Sequence, residues 1–324
     1  MIKKEPNNMP YACNEQLPWI PLISTIGFLI LLGYFISLII WFSNTFFRPP
    51  KYLRKHYGSW AIVTGCTDGI GRAFARKLAR EGLNLILVSR SPDKLEQLST
   101  ELRLATNNRI LVHILVLDFS DKDVSGGVRE IEEMAWNLDV GVLINNVGIT
   151  YPAARFFHEV DEEVWTKIVR VNVKGTLRVT RAVLPGMVRR GRGAVVNIGS
   201  GAAIVVPSHP LFTIYAATKA FVDQLSRSLH VEYKHHGIDV QCQVPLYIAT
   251  KMASKVASIE SSSVFVPSPE DYAEAAVRHI GYDSRCMPYW PHLVQWFFAR
   301  LVPDSLLDSW RLSLGLKRRA KTPP

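Results

Sequence analysis

Residues 60–71 read WAIVTGCTDGIG: a short apolar run, a glycine-rich turn, and the start of an amphipathic helix that Gly82 closes. Glycines in such a turn permit a tight bend and close backbone approach, and the helix amino end presents free N–H groups to a pyrophosphate. The spacing is G-x-x-x-G-x-G, which differs from the usual dinucleotide fingerprint G-x-G-x-x-G. We expect this turn to bind a dinucleotide through Gly65, Asp68, Gly69, Ile70 and Gly71.

Apolar runs alternate with helical patterns along the chain after this turn. Continuous apolar strands separated by helices imply a parallel sheet that is covered on both faces. We therefore predict an α/β fold, a Rossmann-like doubly wound parallel sheet. The further strands are expected at residues 83–89, 109–119, 140–146, 194–200 and 239–245, and the helices at 91–105, around 131–138, at 161–190 and from Tyr215 to about His235.

A pair of reactive side chains lies in residues 200–219, SGAAIVVPSHPLFTIYAATK. Tyr215 and Lys219 are four residues apart in a predicted helix, so they share one helical face. An ammonium beside a phenol lowers the pKa of the phenol, which makes a proton donor and acceptor for chemistry near neutral pH. By itself such a pair is also an ordinary feature of helix surfaces.

Several motifs in order resemble the short-chain dehydrogenase/reductase family. They are the glycine spacing at 65–71, the run Asn145-Asn146-Val147-Gly148 after the fourth strand, and Tyr215-x-x-x-Lys219. Asn172 in VNVKG and Ser200 at the end of VVNIGS match the remaining members of that family's catalytic set. The resemblance covers roughly residues 58–283 and implies a single catalytic domain with the predicted fold.

The resemblance also implies a role for each catalytic residue. Tyr215 would donate a proton to a carbonyl oxygen during reduction, and Ser200 would position that carbonyl. Lys219 would lower the pKa of Tyr215 and bind the nicotinamide ribose. Asn172 would hold a water that links Lys219 to solvent. Taken separately, each residue more often has a structural role, Ser200 as a strand-end cap and Asn172 as a satisfied buried amide.

The end of the second strand indicates the cofactor. NAD-specific members place an acidic residue there, whereas this chain has Arg90, and Arg72 follows the glycine turn. A guanidinium suits a 2′-phosphate, so we predict NADPH; the alternative is that both arginines are solvated surface residues. The remaining expected cofactor contacts are Asp118 and Asn145 on the adenosine side, and Ile248 and Thr250 near the nicotinamide, in a loop where Pro245-Leu246 replaces the family's Pro-Gly.

The N-terminal segment contains a candidate membrane span. Residues 19–42 are almost wholly apolar and as a helix would measure roughly 36 Å, enough to cross a bilayer. A cleaved signal peptide is the competing interpretation, but its apolar region is normally shorter. Two basic residues precede the span and four closely follow it, which places the downstream domain in the cytosol. They are Lys3 and Lys4, then Arg48, Lys51, Arg54 and Lys55.

Longer runs are similar to the membrane-bound very-long-chain 3-oxoacyl-CoA reductases, in particular the plant-type branch. They include YPAARFFHEVDEE (151–163), DVQCQVPLYIATKM (239–252) and MPYWPH (287–292). This resemblance implies reduction of a long-chain acyl-CoA in fatty-acid elongation at the endoplasmic reticulum membrane, together with other elongase subunits. Two alternatives stay open: a microsomal 17-beta-hydroxysteroid dehydrogenase, and an inactive NADPH-binding scaffold of an elongase complex.

The long substrate suggests where an acyl channel would lie. Pro207, Phe212, Tyr247, Met252 and Phe265 could line it or be ordinary core. Ser200 and Tyr215 are fifteen residues apart, more than is usual in the family, and the extra length around VVPSHPLF is the expected place of substrate entry.

Composition limits the partners and the domain organisation. The net charge of +10 suits a membrane surface or a phosphate-bearing ligand, and we find no nucleic-acid-binding motif and no metal-ligand spacing among the four cysteines. We expect three segments: 1–47 with the membrane helix, 48–287 as the catalytic domain, and 288–324 as an amphipathic segment with a basic tail. Residues 289–316 are too charged to span a bilayer; they lie on the membrane or cover the pocket.

Overall fold

The structure is a computed structural model that describes residues 19–320. The chain divides into two compact units, Met1–Arg48 and Pro49–Pro324. Lys3 and Lys4, on which the predicted membrane orientation depends, lie outside the described residues, as do the last four residues of the basic tail.

The first unit is built on a long apolar helix, α1 (Trp19–Phe42). A π-helical turn, Ser43–Phe47, continues it. Together they form a helix that is long and apolar enough to cross a membrane, and its large apolar side chains are exposed. Helix α1 has the bounds predicted from the sequence.

The second unit contains a seven-stranded sheet in which every paired strand is parallel. Its strand order is β3-β2-β1-β4-β5-β6-β7, so the direction of winding reverses between β1 and β4. The strands are β1 (Trp60–Thr64), β2 (Asn84–Ser89), β3 (Val112–Val116), β4 (Val140–Asn145), β5 (Gly193–Ile198), β6 (Ile238–Gln243) and β7 (Arg285–Cys286). The prediction of a doubly wound parallel sheet is confirmed.

Helices cover both faces of this sheet. The helices of the second unit are α2 (Leu53–His56), α3 (Gly69–Arg80), α4 (Pro92–Ala105), α5 (Ser125–Asn137), α6 (Glu162–Val169), α7 (Thr176–Arg190), α8 (Thr213–Tyr233), α9 (Lys251–Ala257), α10 (Pro269–Arg278), α11 (Trp290–Ala299) and α12 (Asp304–Ala320).

Alternate residues of each strand enter separate apolar cores, as a two-faced sheet requires. In β1, Ala61 and Val63 pack with α3 and α10 on one face. Ile62 packs with α5 and α7 on the other.

The predicted helix over residues 161–190 is interrupted. A π-helical segment, Arg170–Gly175, separates α6 from α7. Such segments insert extra residues into a helix and are frequent at functional sites. The sequence pattern gave no sign of it because the apolar period continues on both sides.

Two helices that begin after a serine differ in their capping. Ser268 accepts a hydrogen bond from the Asp271 N–H at the start of α10, as an N-cap serine does. Ser91 occupies the same position before α4, but its side chain makes no capping bond.

Candidate active site

A cavity of about 560 Å³ opens at the carboxyl ends of the strands. Residues that follow β1, β2, β3, β4, β5 and β6 all line it, and it spans the point where the strand order reverses. Open parallel sheets bind their ligands in this place because the loops on either side of the reversal diverge and leave a crevice. The volume is in the range of small-molecule sites.

The glycine-rich turn forms one wall of the cavity. Gly65 and Gly69 have φ of +63° and +50°, a conformation that residues with a side chain rarely adopt. At Gly71 a Cβ would lie 2.3 Å from the Gly65 carbonyl oxygen. Gly65 and Gly69 line the cavity and Gly71 packs behind them, so the three glycines serve the turn in different ways.

The turn fits a dinucleotide pyrophosphate. Asp68, Gly69 and Ile70 line the cavity at the amino end of α3, where N–H groups lack helical acceptors and the helix dipole favours an anion. Asp68 caps this helix by accepting from the Gly69 N–H at 2.9 Å. Burial opposes ionisation of Asp68, but Lys251 at 2.7 Å holds its pKa below the ordinary value, and this cation offsets the carboxylate beside the anion site.

The two arginines predicted near a 2′-phosphate have different surroundings. Arg90 follows β2, is exposed, and lines the cavity beside Asp118. Arg72 does not line it, because its guanidinium is paired with Glu101 at 2.6 Å. Of the predicted contacts around the nicotinamide, Ile248 and Thr250 both line the cavity.

Asn145 does not lie in the cavity wall where we expected it. It is buried, and its Nδ2 donates to Thr180 Oγ1 at 2.9 Å and to Asn197 Oδ1 at 2.8 Å, so it links β4 to its neighbours. The next residue, Asn146, lines the cavity and donates from Nδ2 to the Thr64 and Gly65 carbonyls. The one-residue error arises because successive side chains of a strand point to opposite faces.

Ser200 and Tyr215 meet in the cavity and share a side-chain hydrogen bond. Ser200 follows β5 and also accepts from the Ala202 N–H at 3.2 Å. Burial raises the pKa of Tyr215, and the bond to Ser200 opposes that rise. The phenol is therefore protonated at neutral pH, which suits a proton donor.

Lys219 lies one turn after Tyr215 on α8 and is 6% exposed. Its Nζ donates to the Ile198 carbonyl at 2.7 Å, and burial lowers its pKa to about 8. Our expectation that Lys219 lowers the pKa of Tyr215 stays a prediction. The ammonium is engaged with a backbone carbonyl, and the shift of Tyr215 is governed by burial, Ser200 and Tyr247.

Asn172 lies in the π-helical segment, and both polar atoms of its side chain form hydrogen bonds within the protein. Its Oδ1 accepts from the Ile149 N–H at 2.8 Å, while Nδ2 donates to the Ile149 carbonyl at 2.9 Å and to Thr218 Oγ1 at 3.0 Å. A Cβ added at Gly148 would lie 3.4 Å from Lys219 Nζ and 3.5 Å from Asn172 Oδ1. Asn172 thus holds the loop after β4 beside Lys219 and α8.

The other end of the cavity is largely apolar. Phe212, Tyr247 and Met252 line it, as do Val205 and Val206 from the run between Ser200 and Tyr215. Two of the five predicted channel residues, Pro207 and Phe265, are exposed and are not part of its wall.

Helices α11 and α12 cover this end. They contribute Gln295, Ala299, Leu307, Trp310 and Arg311 to the wall. The question left open for residues 289–316 is thereby answered in part: one face of these helices covers the pocket. These helices also expose large apolar side chains, among them Phe297, Phe298 and Leu306.

The sequence analysis did not identify three polar groups at this end of the cavity: the side chains of His209 and Arg311 and the hydroxyl of Tyr247. Arg318 donates to the Tyr247 hydroxyl at 3.1 Å, and Arg311 is hydrogen-bonded to a ring nitrogen of His209. Burial, Arg311 and Arg318 together lower the pKa of His209 to about 3, so this imidazole is neutral. The sequence feature that could have identified Arg311 was a basic residue within the amphipathic C-terminal segment.

A glycine-lined dinucleotide cradle beside a Ser–Tyr–Lys set in one cavity defines a nicotinamide-dependent class of oxidoreductase. The short chain dehydrogenase family model matches residues 59–261. The chain belongs to the short-chain dehydrogenase/reductase family and is an oxidoreductase that acts on CH–OH and C=O groups.

Three related proteins show which members of this family the chain is similar to. An Arabidopsis thaliana protein named very-long-chain 3-oxoacyl-CoA reductase-like protein is 59% identical over 315 residues, 96% of this chain and 99% of the relative. The Homo sapiens very-long-chain 3-oxoacyl-CoA reductase is 37% identical over 256 residues, 76% of this chain and 78% of the relative. The Homo sapiens inactive hydroxysteroid dehydrogenase-like protein 1 is 39% identical over 255 residues, 78% of this chain and 75% of the relative.

Among solved structures, a short-chain dehydrogenase from Sphingobium yanoikuyae in complex with NADPH is similar. Its TM-score is 0.62 at 28% identity, covering 82% of this chain and 98% of that one.

Proposed function

We propose that this protein reduces very-long-chain 3-oxoacyl-CoA to 3-hydroxyacyl-CoA with NADPH, as a step of fatty-acid elongation. The observation that carries the proposal is the shared cavity: Ser200, Tyr215 and Lys219 line it together with the glycine-rich turn. The names of the relatives at 59% and 37% identity support the acyl-CoA substrate.

NADPH, when bound, supplies hydride to the carbonyl carbon of the substrate. Arg90 would hold the 2′-phosphate and the amino end of α3 the pyrophosphate. Tyr215 stays protonated at neutral pH and gives its proton to the carbonyl oxygen, which Ser200 positions by hydrogen bonding. Lys219, fixed on Ile198, places a cation near the phenol that has lost its proton, and Asn172 positions the loop that lies against Lys219.

We also propose an endoplasmic reticulum location, with the catalytic domain of residues 48–287 in the cytosol and other elongase subunits as partners. The long apolar helix α1 supports a single membrane span. The four basic residues after the span, against two before it, support the orientation. An anchored enzyme meets its substrate where long acyl chains partition.

An inactive NADPH-binding scaffold is the second candidate, because some relatives are named inactive. Microsomes that carry the full-length protein distinguish the two when they receive NADPH and a long-chain 3-oxoacyl-CoA. Oxidation of NADPH with formation of the 3-hydroxyacyl-CoA supports the proposed reaction. Turnover of steroid ketones alone refutes the acyl-CoA assignment, and inertness with every carbonyl compound, despite bound NADPH, supports the scaffold.

A further inference from the structure

We propose that Arg311 is a substrate-binding residue that takes a second oxygen of the substrate, the thioester carbonyl two carbons from the reacting ketone. The inference rests on the proposed function and adds to it the residue that recognises a 3-oxoacyl thioester over a simple ketone.

Arg311 is a buried cation in the cavity wall. It is 8% exposed, and its hydrogen-bond partners are the ring of His209 and the hydroxyl of Tyr247. His209 supplies no counter-charge, since its imidazole is neutral at physiological pH. Against the effect of burial, the guanidiniums of Arg311 and Arg318 lower the pKa of Tyr247. A buried charge without a counter-charge is unfavourable, so a ligand that offers an electron-rich oxygen is stabilised there.

Nearby carboxylates do not neutralise Arg311. Asp308, one turn earlier on α12, accepts a hydrogen bond from the Ser208 hydroxyl. Glu159 is paired with Arg319 at 2.6 Å. Within residues 19–320 no carboxylate lies within ion-pair distance of Arg311.

Arg311 lines the same cavity as the reacting groups. It is hydrogen-bonded to Tyr247, and the Tyr247 phenol in turn acts on the pKa of Tyr215. All three side chains line one cavity. A substrate whose ketone oxygen lies on Tyr215 and Ser200 therefore occupies a cavity that Tyr247 and Arg311 also line.

Helix α12 is fixed in place, so the guanidinium is preorganised. Three side chains of α12 form hydrogen bonds to other parts of the protein: Asp308 with Ser208, Arg318 with Tyr247, and Arg319 with Glu159. Gly315 lets the helix approach the run between Ser200 and Tyr215, because a Cβ there would lie 2.8 Å from Leu211 Cδ1. A site preorganised to hydrogen-bond an oxygen discriminates against analogues that lack it, because the buried donor is then left unpaired.

The test compares two substrates on full-length protein in microsomes. One is a long-chain 3-oxoacyl-CoA; the other is an alkyl ketone of the same chain length without the thioester. We expect Arg311→Gln to lower kcat/KM for the 3-oxoacyl-CoA by about 10- to 100-fold and for the ketone by less than about threefold. Arg311→Lys, which keeps the charge and loses the planar fork, recovers part of the selectivity. NADPH binding stays at the wild-type value.

Arg300→Gln is the matched control. Arg300 is an exposed guanidinium at the end of α11, outside the cavity wall, and its loss should leave both substrates unaffected. Equal losses on both substrates, or none, in Arg311→Gln overturn the inference and leave the proposed function standing. If Arg311→Gln does not fold, Arg311→Lys decides by the same ratio. A wild type that is inert with 3-oxoacyl-CoA overturns both.

Discussion

The Nζ atom of Lys219 donates a hydrogen bond of 2.7 Å to the carbonyl oxygen of Ile198. Ile198 is the last residue of β5, and Ser200 follows it by two positions. The contact therefore joins α8, which carries Tyr215, to the strand end that carries Ser200. It also keeps an ammonium in a buried place, where desolvation lowers its pKa to about 8.

Replacing Lys219 by Met should abolish reduction and raise stability at pH 7, because the buried charge is removed. The folded-state pKa of about 8 lies below the ordinary 10.5, so between these values the unfolded chain binds more protons than the folded one. The free energy of unfolding of the wild type should therefore rise relative to that of the variant as pH rises from 8 to 10.5. Melting midpoints of both proteins in detergent at several pH values measure this.

The control for Lys219→Met is Lys255→Met, which replaces an exposed lysine on α9. Its stability difference from the wild type should not vary with pH over the same range. A Lys219→Met difference that is likewise constant contradicts a buried, shifted ammonium.

Tyr215→Phe removes the hydroxyl that donates the proton while keeping the ring. Because general acid catalysis contributes about 10²- to 10⁴-fold, we expect kcat to fall by that factor while NADPH binding, followed by its fluorescence, is unchanged. Tyr233→Phe on the same helix, outside the cavity wall, should retain activity. Full activity in Tyr215→Phe excludes the proposed proton donor.

The sequence was sufficient for the fold because its strands are continuous apolar runs that turn residues delimit. The glycine turn and Ser200 lie together in one cavity for the same reason, because each follows a strand at one edge of the sheet, and α8 brings Tyr215 and Lys219 to the same cavity. Single-residue orientation was less predictable. Asn145 and Asn146 are adjacent, and only the register of β4 decides which of them faces the cavity.

Long-range contacts could not be predicted from sequence pattern. The short strand β7 pairs with β6 through Cys242↔Arg285 and Gln243↔Cys286, which is too short a run to show a period. The covering of the pocket by α11 and α12 is a tertiary contact between a C-terminal segment and the run 200–215. An amphipathic helix indicates that one face is buried, and not what buries it.

Arg90→Ser tests the choice of cofactor. Loss of a guanidinium that pairs with a 2′-phosphate should raise KM for NADPH about 10- to 100-fold and change KM for NADH little, since NADH lacks that phosphate. Arg80→Ser removes an exposed arginine at the end of α3, outside the cavity wall, and should change neither. Equal effects of Arg90→Ser on both cofactors contradict the NADPH assignment. Initial rates with each cofactor give the comparison.

Gly71→Ala tests the packing behind the glycine turn. A Cβ at Gly71 would lie 2.3 Å from the Gly65 carbonyl oxygen and 2.4 Å from Asn146 Nδ2, so the turn must move. Overpacking of this kind costs about 1–3 kcal/mol, and we expect a lower melting midpoint together with weaker NADPH binding. Gly126→Ala on α5, where a Cβ meets nothing within 4 Å, is the matched change and should leave both unaffected. If Gly71→Ala has the melting midpoint and the NADPH affinity of the wild type, the close packing of the turn against Asn146 is not required for cofactor binding.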